Sequence, residues 1–317
     1  MINVGRSVLL GATMALSASA LALDTVKFLI PANPGGGWDQ TGRNLGAAML
    51  SAKVARNIQY DNKGGAGGTI GLAQFVNGSK GDGSQLLIGG LVMVGAIELN
   101  KSPVNLAQVT PIARLTSEAN AIVVPANSKF KTLKDLVDQF KANPASVSWG
   151  GGSAGGTDHI LVGLIAKDVG ADVKRINYVP FKGGGEALQA IIGGHVTAGV
   201  SGYGEFAEQI KSGKMRALAV SGSSRIAGVD IATLKEQGVN VEIGNWRGVF
   251  AAPGLSDAQR QALVKAVNDT VASGLWKETL KRMDWSDVLL SGDAFKSFVD
   301  AESKRINGVL RDIGLLK

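Results

Sequence analysis

Short branched apolar runs alternate with longer amphipathic stretches along most of this chain, which predicts strands alternating with helices and hence an α/β protein. Strands are expected at Val26–Ile30, Asn57–Tyr60, Gln85–Ile88, Pro111–Leu115 and Ala121–Val124, with helices between the first three and a further helix start after Gly89-Gly90. Thr132–Ala142 reads as an amphipathic helix with Leu133, Leu136, Val137 and Phe140 on its apolar side. A second series follows, with strands at Ser146–Trp149, Ile176–Val179, Val196–Val200 and Arg216–Val220 and helices near Asp158–Val169, Gly185–Ile192 and Glu205–Lys211. From Ser221 the chain is loop-rich. Trp246–Ala252 gives one more strand, Ser256 caps a helix carrying Leu263, Val267 and Val271, and Leu275–Met283 and Asp293–Ile313 are the last helices. This order predicts two α/β lobes joined by a hinge with two chain crossings, near Glu118–Pro125 and Ser221–Trp246. The first lobe comprises 23–124 and 222–317, the second 125–221, and ligand is expected to close the clamshell.

Three glycine-rich loops interrupt the pattern at strand-to-helix junctions: Phe28–Arg43 (FLIPANPGGGWDQTGR), Asn62–Gly71 (NKGGAGGTIG) and Trp149–His159 (WGGGSAGGTDH). Prolines 31 and 34 end the first strand, and the glycines allow backbone conformations that a Cβ forbids. The N–H groups at a helix start lack partners within the helix and sit at the positive end of its dipole, so they attract anions. Three such starts can converge on one small carboxylate or phosphate. For each loop alone, a tight turn with no ligand is the competing explanation. The candidate binding residues are Trp38, Asp39, Gly67, Thr69, Ser153, Gly155, Thr157, His159 and Ser201. Trp38 either walls the cleft and donates its indole N–H or packs on its own helix. Asp39 is expected as the N-cap of the first helix, and His159 either approaches a ligand carboxylate or packs within its helix.

The loops, taken in order with Tyr178–Glu186, Val196–Gly199, Arg216–Val220, Asn245-Trp-Arg-Gly248 and Ala252-Pro-Gly254, resemble the extracytoplasmic solute receptors of tripartite tricarboxylate transporters, also called Bug-type receptors. The resemblance spans the mature chain. It implies a periplasmic binding protein of type II-like fold that holds a ligand carboxylate through backbone N–H groups and ordered waters and does no chemistry. Its partners would be a large and a small membrane permease subunit. The Pro-Gly-Gly-Gly-Trp-Asp loop resembles that of tricarboxylate receptors, which makes citrate or a near relative the expected solute. A receptor presenting its liganded form to a signalling partner is the alternative within the same fold.

Residues 1–22 read as a secretory signal, with Arg6 as its charge, an apolar run from Val8 to Leu16, and small residues at Ala20-Leu-Ala22 or Ala18-Ser-Ala20. No later stretch is long and apolar enough to span a bilayer. The net charge of +7 is dispersed along interleaved helix faces and forms no basic stripe, so a nucleic-acid partner is not expected. With no cysteine there is neither disulfide nor thiolate metal site, and the two histidines lack ligand spacing, so no metal and no cofactor are expected. None of the loops continues into the Lys-Ser/Thr of a P-loop, and Gly65-Ala-Gly67 lacks the third glycine of a dinucleotide fingerprint. Ser153 with His159 leaves a secreted serine hydrolase as a further alternative, without a nucleophile elbow around the serine. A monomer is the default state.

Overall fold

The structure is a computed structural model that describes residues 23–181 and 184–316. The first lobe is built on parallel pairs: β1 (Leu23–Ile30) lies between β2 (Ala55–Asn62) and β3 (Gln85–Gly90), with α1 (Gly37–Ser51), α2 (Thr69–Gly78) and α3 (Leu91–Leu99) following the three strands in turn. β4 (Thr110–Pro125) runs antiparallel to the late strand β9 (Gly244–Ala251), which itself pairs with β3. In the second lobe β5 (Ser148–Gly151) pairs parallel with β6 (Asn177–Pro180) and β7 (Ala198–Gly202), and β8 (Met215–Val220) pairs antiparallel with β4. Its helices are α4 (Leu133–Ala142), α5 (Thr157–Val169), α6 (Gly184–Ile192) and α7 (Tyr203–Lys211). The chain ends with α8 (Asp257–Val271), α9 (Gly274–Arg282), the edge strand β10 (Ser286–Ser291) and α10 (Asp293–Asp312). The tail of residue 1–22 and Lys182–Gly183, on which the signal reading and part of the Tyr178–Glu186 motif fall, lie outside the described residues.

The α/β alternation read from the sequence is present, with two differences. The strands expected at 111–115 and 121–124 are one 16-residue strand, β4. The intervening Thr116–Asn120 look like a break because they are polar, yet they continue the ladder: Thr116 to Ala119 face Arg247 to Gly244 of β9, and Asn120 to Val123 face Gly202 to Gly199 of β7. One strand therefore belongs to both lobes. The other difference is β10, whose Val288-Leu289-Leu290 run was too short to signal a strand but pairs antiparallel with β4.

A large apolar core runs through both lobes, from Ile30, Leu45, Phe75, Ile88 and Phe250 to Ile122, Trp149, Phe140 and Ile165. Phe140 meets Trp149 edge-on at 5.1 Å, which locks α4 over β5. The opposite face of β4 contributes Ala121 and Val123 to a smaller cluster with Ile191, Tyr203 and Phe206. At the waist the return crossing is bonded to β4: the buried Ser221 hydroxyl accepts from the Asn120 N–H at 3.0 Å and donates to the Ile243 carbonyl at 2.6 Å.

Candidate functional site

The helices fall into two kinds by how they begin. α4, α8 and α9 start at Thr132, Ser256 and Ser273, whose side chains accept from the first turn, with reciprocal capping boxes at α4 and α8. α10 also starts at a glycine, Gly292, after the edge strand β10, whereas α1, α2, α3, α5 and α7 start at Gly36, Gly68, Gly90, Gly156 and Gly202, which have no side chain to cap with. Each of these five stands at or just beyond the C-terminal end of a strand. Their orphan N–H groups are left to bind something else.

These starts are neighbours in space. A Cβ built on Gly68 would meet the Trp38 ring at 2.6 Å, and one on Gly90 would lie 3.3 Å from the Trp38 indole nitrogen. Gly95 of α3 abuts the Gly155 carbonyl, Gly155 abuts Leu99, and Gly67 abuts Ala96. Gly67 and Gly155 have φ of +64° and +70°, so α3 is gripped by two left-handed turns, one from each lobe. A Cβ on Gly37 would come within 2.6 Å of the Arg247 guanidinium, placing that side chain against the start of α1.

The strands below the loops supply a polar floor. Thr116, Glu118 and Asn120 alternate along β4, and Asn245 and Arg247 alternate along β9 directly opposite, so all five side chains share one face. Trp246, between the last two, points the other way, donating to Glu302 at 3.3 Å and meeting Phe298 edge-on. Arg247 is 4% exposed and forms a buried ion pair with Glu118, Nη2 to Oε2 at 2.5 Å, while its guanidinium lies 5.2 Å from the Trp285 ring. Four atoms on this face have no protein partner although they are buried: Thr116 Oγ1, Asn120 Oδ1, Asn245 Oδ1 and Arg247 Nη1. Such a concentration of unsatisfied groups marks a place where a ligand or water completes the network.

Two more acids close on the floor. Asp158, in the first turn of α5, accepts from the Gly152 N–H at 2.7 Å and from the Asn120 side-chain amide. Burial pushes its pKa up to about 7, with Glu205 and Glu118 adding to the rise and the two hydrogen bonds opposing it. Glu205 of α7 accepts from the Ser201 hydroxyl at 2.9 Å; the residue keeps exposed surface, and partial desolvation followed by the charge on Glu118 raises its pKa as well. The Gly204 N–H, at the start of α7, donates to the other oxygen of Glu118 at 3.3 Å.

The sequence-predicted residues are placed as follows. Ser201 joins the acidic floor through Glu205. Thr157 is 2% exposed with an unpartnered hydroxyl at the start of α5. Trp38 is buried between the Gly68 and Gly90 turns. Gly67 and Gly155 hold the turns against α3. Asp39 is not the N-cap of α1, because the helix begins one turn of chain earlier, at Gly36. Instead it reaches back to accept the Gly35 N–H at 2.8 Å, together with Arg43 and Asn62, so its carboxylate is spent on closing the loop. The Thr69 hydroxyl likewise donates to the Ala66 carbonyl at 2.9 Å, within its own turn. Ser153 is exposed on the loop, and its carbonyl receives the Gly156 N–H. His159 accepts the Gly155 N–H at Nδ1 and stacks on Tyr178 at 4.1 Å, and burial lowers its pKa to about 4, so the ring is neutral. It is bonded to the loop rather than to Ser153, and no serine–histidine pair exists there.

Glu118, Asn120, Asp158, Glu205, Asn245 and Arg247 were not among the candidates. The legible signal for them was polar alternation inside apolar strands, TxExN in one and NxR in the other. A depression of about 300 Å³ lined by Lys27, Tyr60, Asp61 and Gln74 lies on the first lobe and includes none of the helix-start glycines and none of the floor residues. It lacks their convergence of open helix starts, so the chemistry belongs to the cleft.

The family model "Tripartite tricarboxylate transporter family receptor" matches residues 43–315. Protein BugT of Bordetella pertussis (strain Tohama I) is 27% identical over 310 residues, covering 96% of this chain and 94% of that one. Among solved structures, an R. palustris protein with adipate superposes with a TM-score of 0.81 at 23% identity, covering 92% of this chain and 97% of that one. MatC from Rhodopseudomonas palustris with bound malate gives 0.78 at 23% identity, covering 90% and 99%.

Proposed function

The chain belongs to the tripartite tricarboxylate transporter family of receptors, which bind solutes and are not enzymes, and on that premise we propose that it captures a small organic carboxylate in the periplasm for a permease of one large and one small membrane subunit. The observation that carries the reading is the meeting of four open helix starts, those of α1, α2, α3 and α5, with the free Nη1 of Arg247. Backbone donors and a guanidinium discriminate a carboxylate by charge and shape. The adipate and malate named with the two solved neighbours are solutes of that size. Citrate fits less well than a mono- or dicarboxylate, because Glu118, Asp158 and Glu205 face the same space and would repel a third negative charge.

On this reading residues 1–22 are removed on export, and the lobes 23–124 with 222–317 and 125–221 close over the solute. Among the described residues no helix is long and apolar enough to cross a membrane. The test is native mass spectrometry of protein isolated from the periplasm. A mature chain starting near residue 23 with one small acid bound is expected. A full-length, membrane-held chain, or one that takes up no carboxylate in subsequent titration calorimetry, would overturn the proposal.

A further inference from the structure

The loops that open α1 and α5, one in each lobe, share a backbone although their sequences differ. Gly35 and Gly155 are left-handed, with φ of +87° and +70°. Gly36 and Gly156 follow as extended N-caps, both with φ of −75°. Their N–H groups turn back to the Asn33 and Ser153 carbonyls, and their own carbonyls take the first helical bonds, from Gln40 and Ile160. The N–H groups of Gly35 and Gly155 are accepted by the side chain four residues on, Asp39 Oδ2 at 2.8 Å and His159 Nδ1 at 3.2 Å. The donors at 35, 36, 155 and 156 are thus engaged within the loops. Among the described residues, the N–H groups left open at these two starts are those of 37–39 in one lobe and 157–159 in the other.

The two acceptors differ in charge, and the residue four positions further on gives the reason. Asp39 is an anion beside open donors, and Arg43, one helical turn on, bonds both of its oxygens at 2.9 Å. Four residues after His159 stands Gly163, packed so closely on Ile313 that a Cβ would lie 2.7 Å from that side chain, so a residue long enough to carry a cation has no room there. A carboxylate at 159 would therefore face an anionic solute uncompensated. A neutral imidazole accepts the same bond and adds no charge. Burial alone keeps the ring in that form, lowering its pKa to about 4. Tyr178 of β6 holds the ring in turn, stacked on it at 4.1 Å with the planes 3° apart. The Tyr178 hydroxyl also donates to the Gly152 carbonyl at 2.8 Å, fixing the other end of the same loop.

We propose that His159 and Tyr178 are positioning residues for solute binding: their side chains, without touching the solute, hold the loop after β5 so that the N–H groups of 157–159 point into the cleft. This rests on the carboxylate-receptor reading and adds the parts that aim its second-lobe donors. The hold is sensitive to acid. Nδ1 accepts only while unprotonated, and protonation turns it into a donor facing the Gly155 N–H, so these donors lose their aim as pH falls through about 4. The groups that face the ring or its loop are Tyr178 of β6 and Asp158 of α5, with Glu205 of α7 and Glu118 of β4 acting on Asp158. Asp158 takes its proton near pH 7, before the imidazole does. In the first lobe burial is outweighed by the bonds from Arg43, Gly35 and Asn62, which hold Asp39 below the usual carboxylate range, so that loop stays closed to lower pH.

The experiment uses the exported protein, stripped of bound solute by unfolding and refolding and carrying isotope-labelled histidine. The chain has two histidines, His159 and the exposed His195, so the nuclear magnetic resonance spectrum is simple, and the His159 signals are those missing from His159→Asn. They should show the Nε2–H tautomer with an unprotonated, hydrogen-bonded Nδ1. Titration calorimetry at pH 7 and pH 4, with succinate, malate and adipate as probes, then compares wild type with His159→Ala, His159→Asn and Tyr178→Phe. At pH 7 His159→Ala and Tyr178→Phe should each weaken the tightest probe about ten-fold. His159→Asn supplies an uncharged acceptor with the reach of Asp39 and should recover most of that loss. At pH 4 wild type should lose affinity relative to His159→Asn, since the titration of the probe itself is common to both. Equal affinities for the alanine and asparagine variants, or an Nδ1–H tautomer at His159, would overturn the positioning role and leave the receptor reading standing. No binding of any probe by wild type would overturn both.

Discussion

Arg247 and Glu118 illustrate how much can hang on two side chains. Both are almost wholly buried, so each is tolerable only while the other is present. Arg247→Met is expected to lower stability by about 3–5 kcal/mol, because it strands a buried carboxylate. Arg247→Met combined with Glu118→Leu should recover most of that loss while remaining unable to bind solute, which urea denaturation and calorimetry on the three proteins would establish. A second prediction concerns the adjacent pair Asp158 and His159, whose pKa values move in opposite directions. The folded protein keeps a proton on Asp158 that the unfolded chain has released, so stability from this group is lost as pH rises from about 4 to about 7. It refuses a proton on His159 that the unfolded chain accepts, so stability from that group grows as pH rises from about 4 to 6.5. The two slopes oppose each other. Asp158→Asn should expose the rising limb and His159→Gln the falling one in urea midpoints measured from pH 4 to 8; parallel profiles for wild type and both variants would contradict these assignments.

At the scale of elements, the way a helix begins separates scaffold from site. Ser256→Ala removes the hydroxyl half of the α8 capping box, leaving the backbone N–H of position 256 bonded to Gln259, and is expected to cost about 1 kcal/mol without changing solute affinity. Gly155→Ala should do the reverse in emphasis. Its added methyl runs into Leu99 at a left-handed backbone position, so it separates α3 from the α5 loop and weakens binding by at least ten-fold. Adding Leu99→Ala relieves the collision and should restore part of the affinity, which calorimetry on the single and double variants decides. The glycine starts were readable in the sequence because Gly is the residue that leaves a helix uncapped and the chain bent. The scaffold helix at Ser256 was readable for the opposite reason. The polar floor was not read, because a carboxylate at Glu118 inside a strand resembles a break when its partner, Arg247, is 129 positions away. Asp39 was misplaced by three residues because its acceptor role, closing the loop onto Gly35, looks the same in sequence as an N-cap. β10 escaped notice since its pairing with β4, more than its own composition, makes it a strand.

For the whole molecule, the arrangement of donors on both lobes predicts that solute binding compacts the protein. The α1 and α2 starts belong to the first lobe and the α5 and α7 starts to the second, so a small acid reaches all of them only when the lobes are together. Small-angle scattering should show a smaller radius of gyration at saturation than in stripped protein. An unchanged radius would mean that the stripped protein is already closed or that binding stays within one lobe.

The shared strand β4 determines how that motion can occur. Its bonding to β9 ends at Ala119 and its bonding to β7 begins at Asn120, with the neighbouring crossing fastened to it through Ser221. No length of strand is left slack between the two clamps. The predicted closure is therefore not the swing of a loose joint: it would twist a continuous bonded ribbon, a torsion bar with an elastic restoring force. Such a bar favours one resting angle, limits the stroke, and releases the solute by recoil once the contacts that held it twisted are withdrawn.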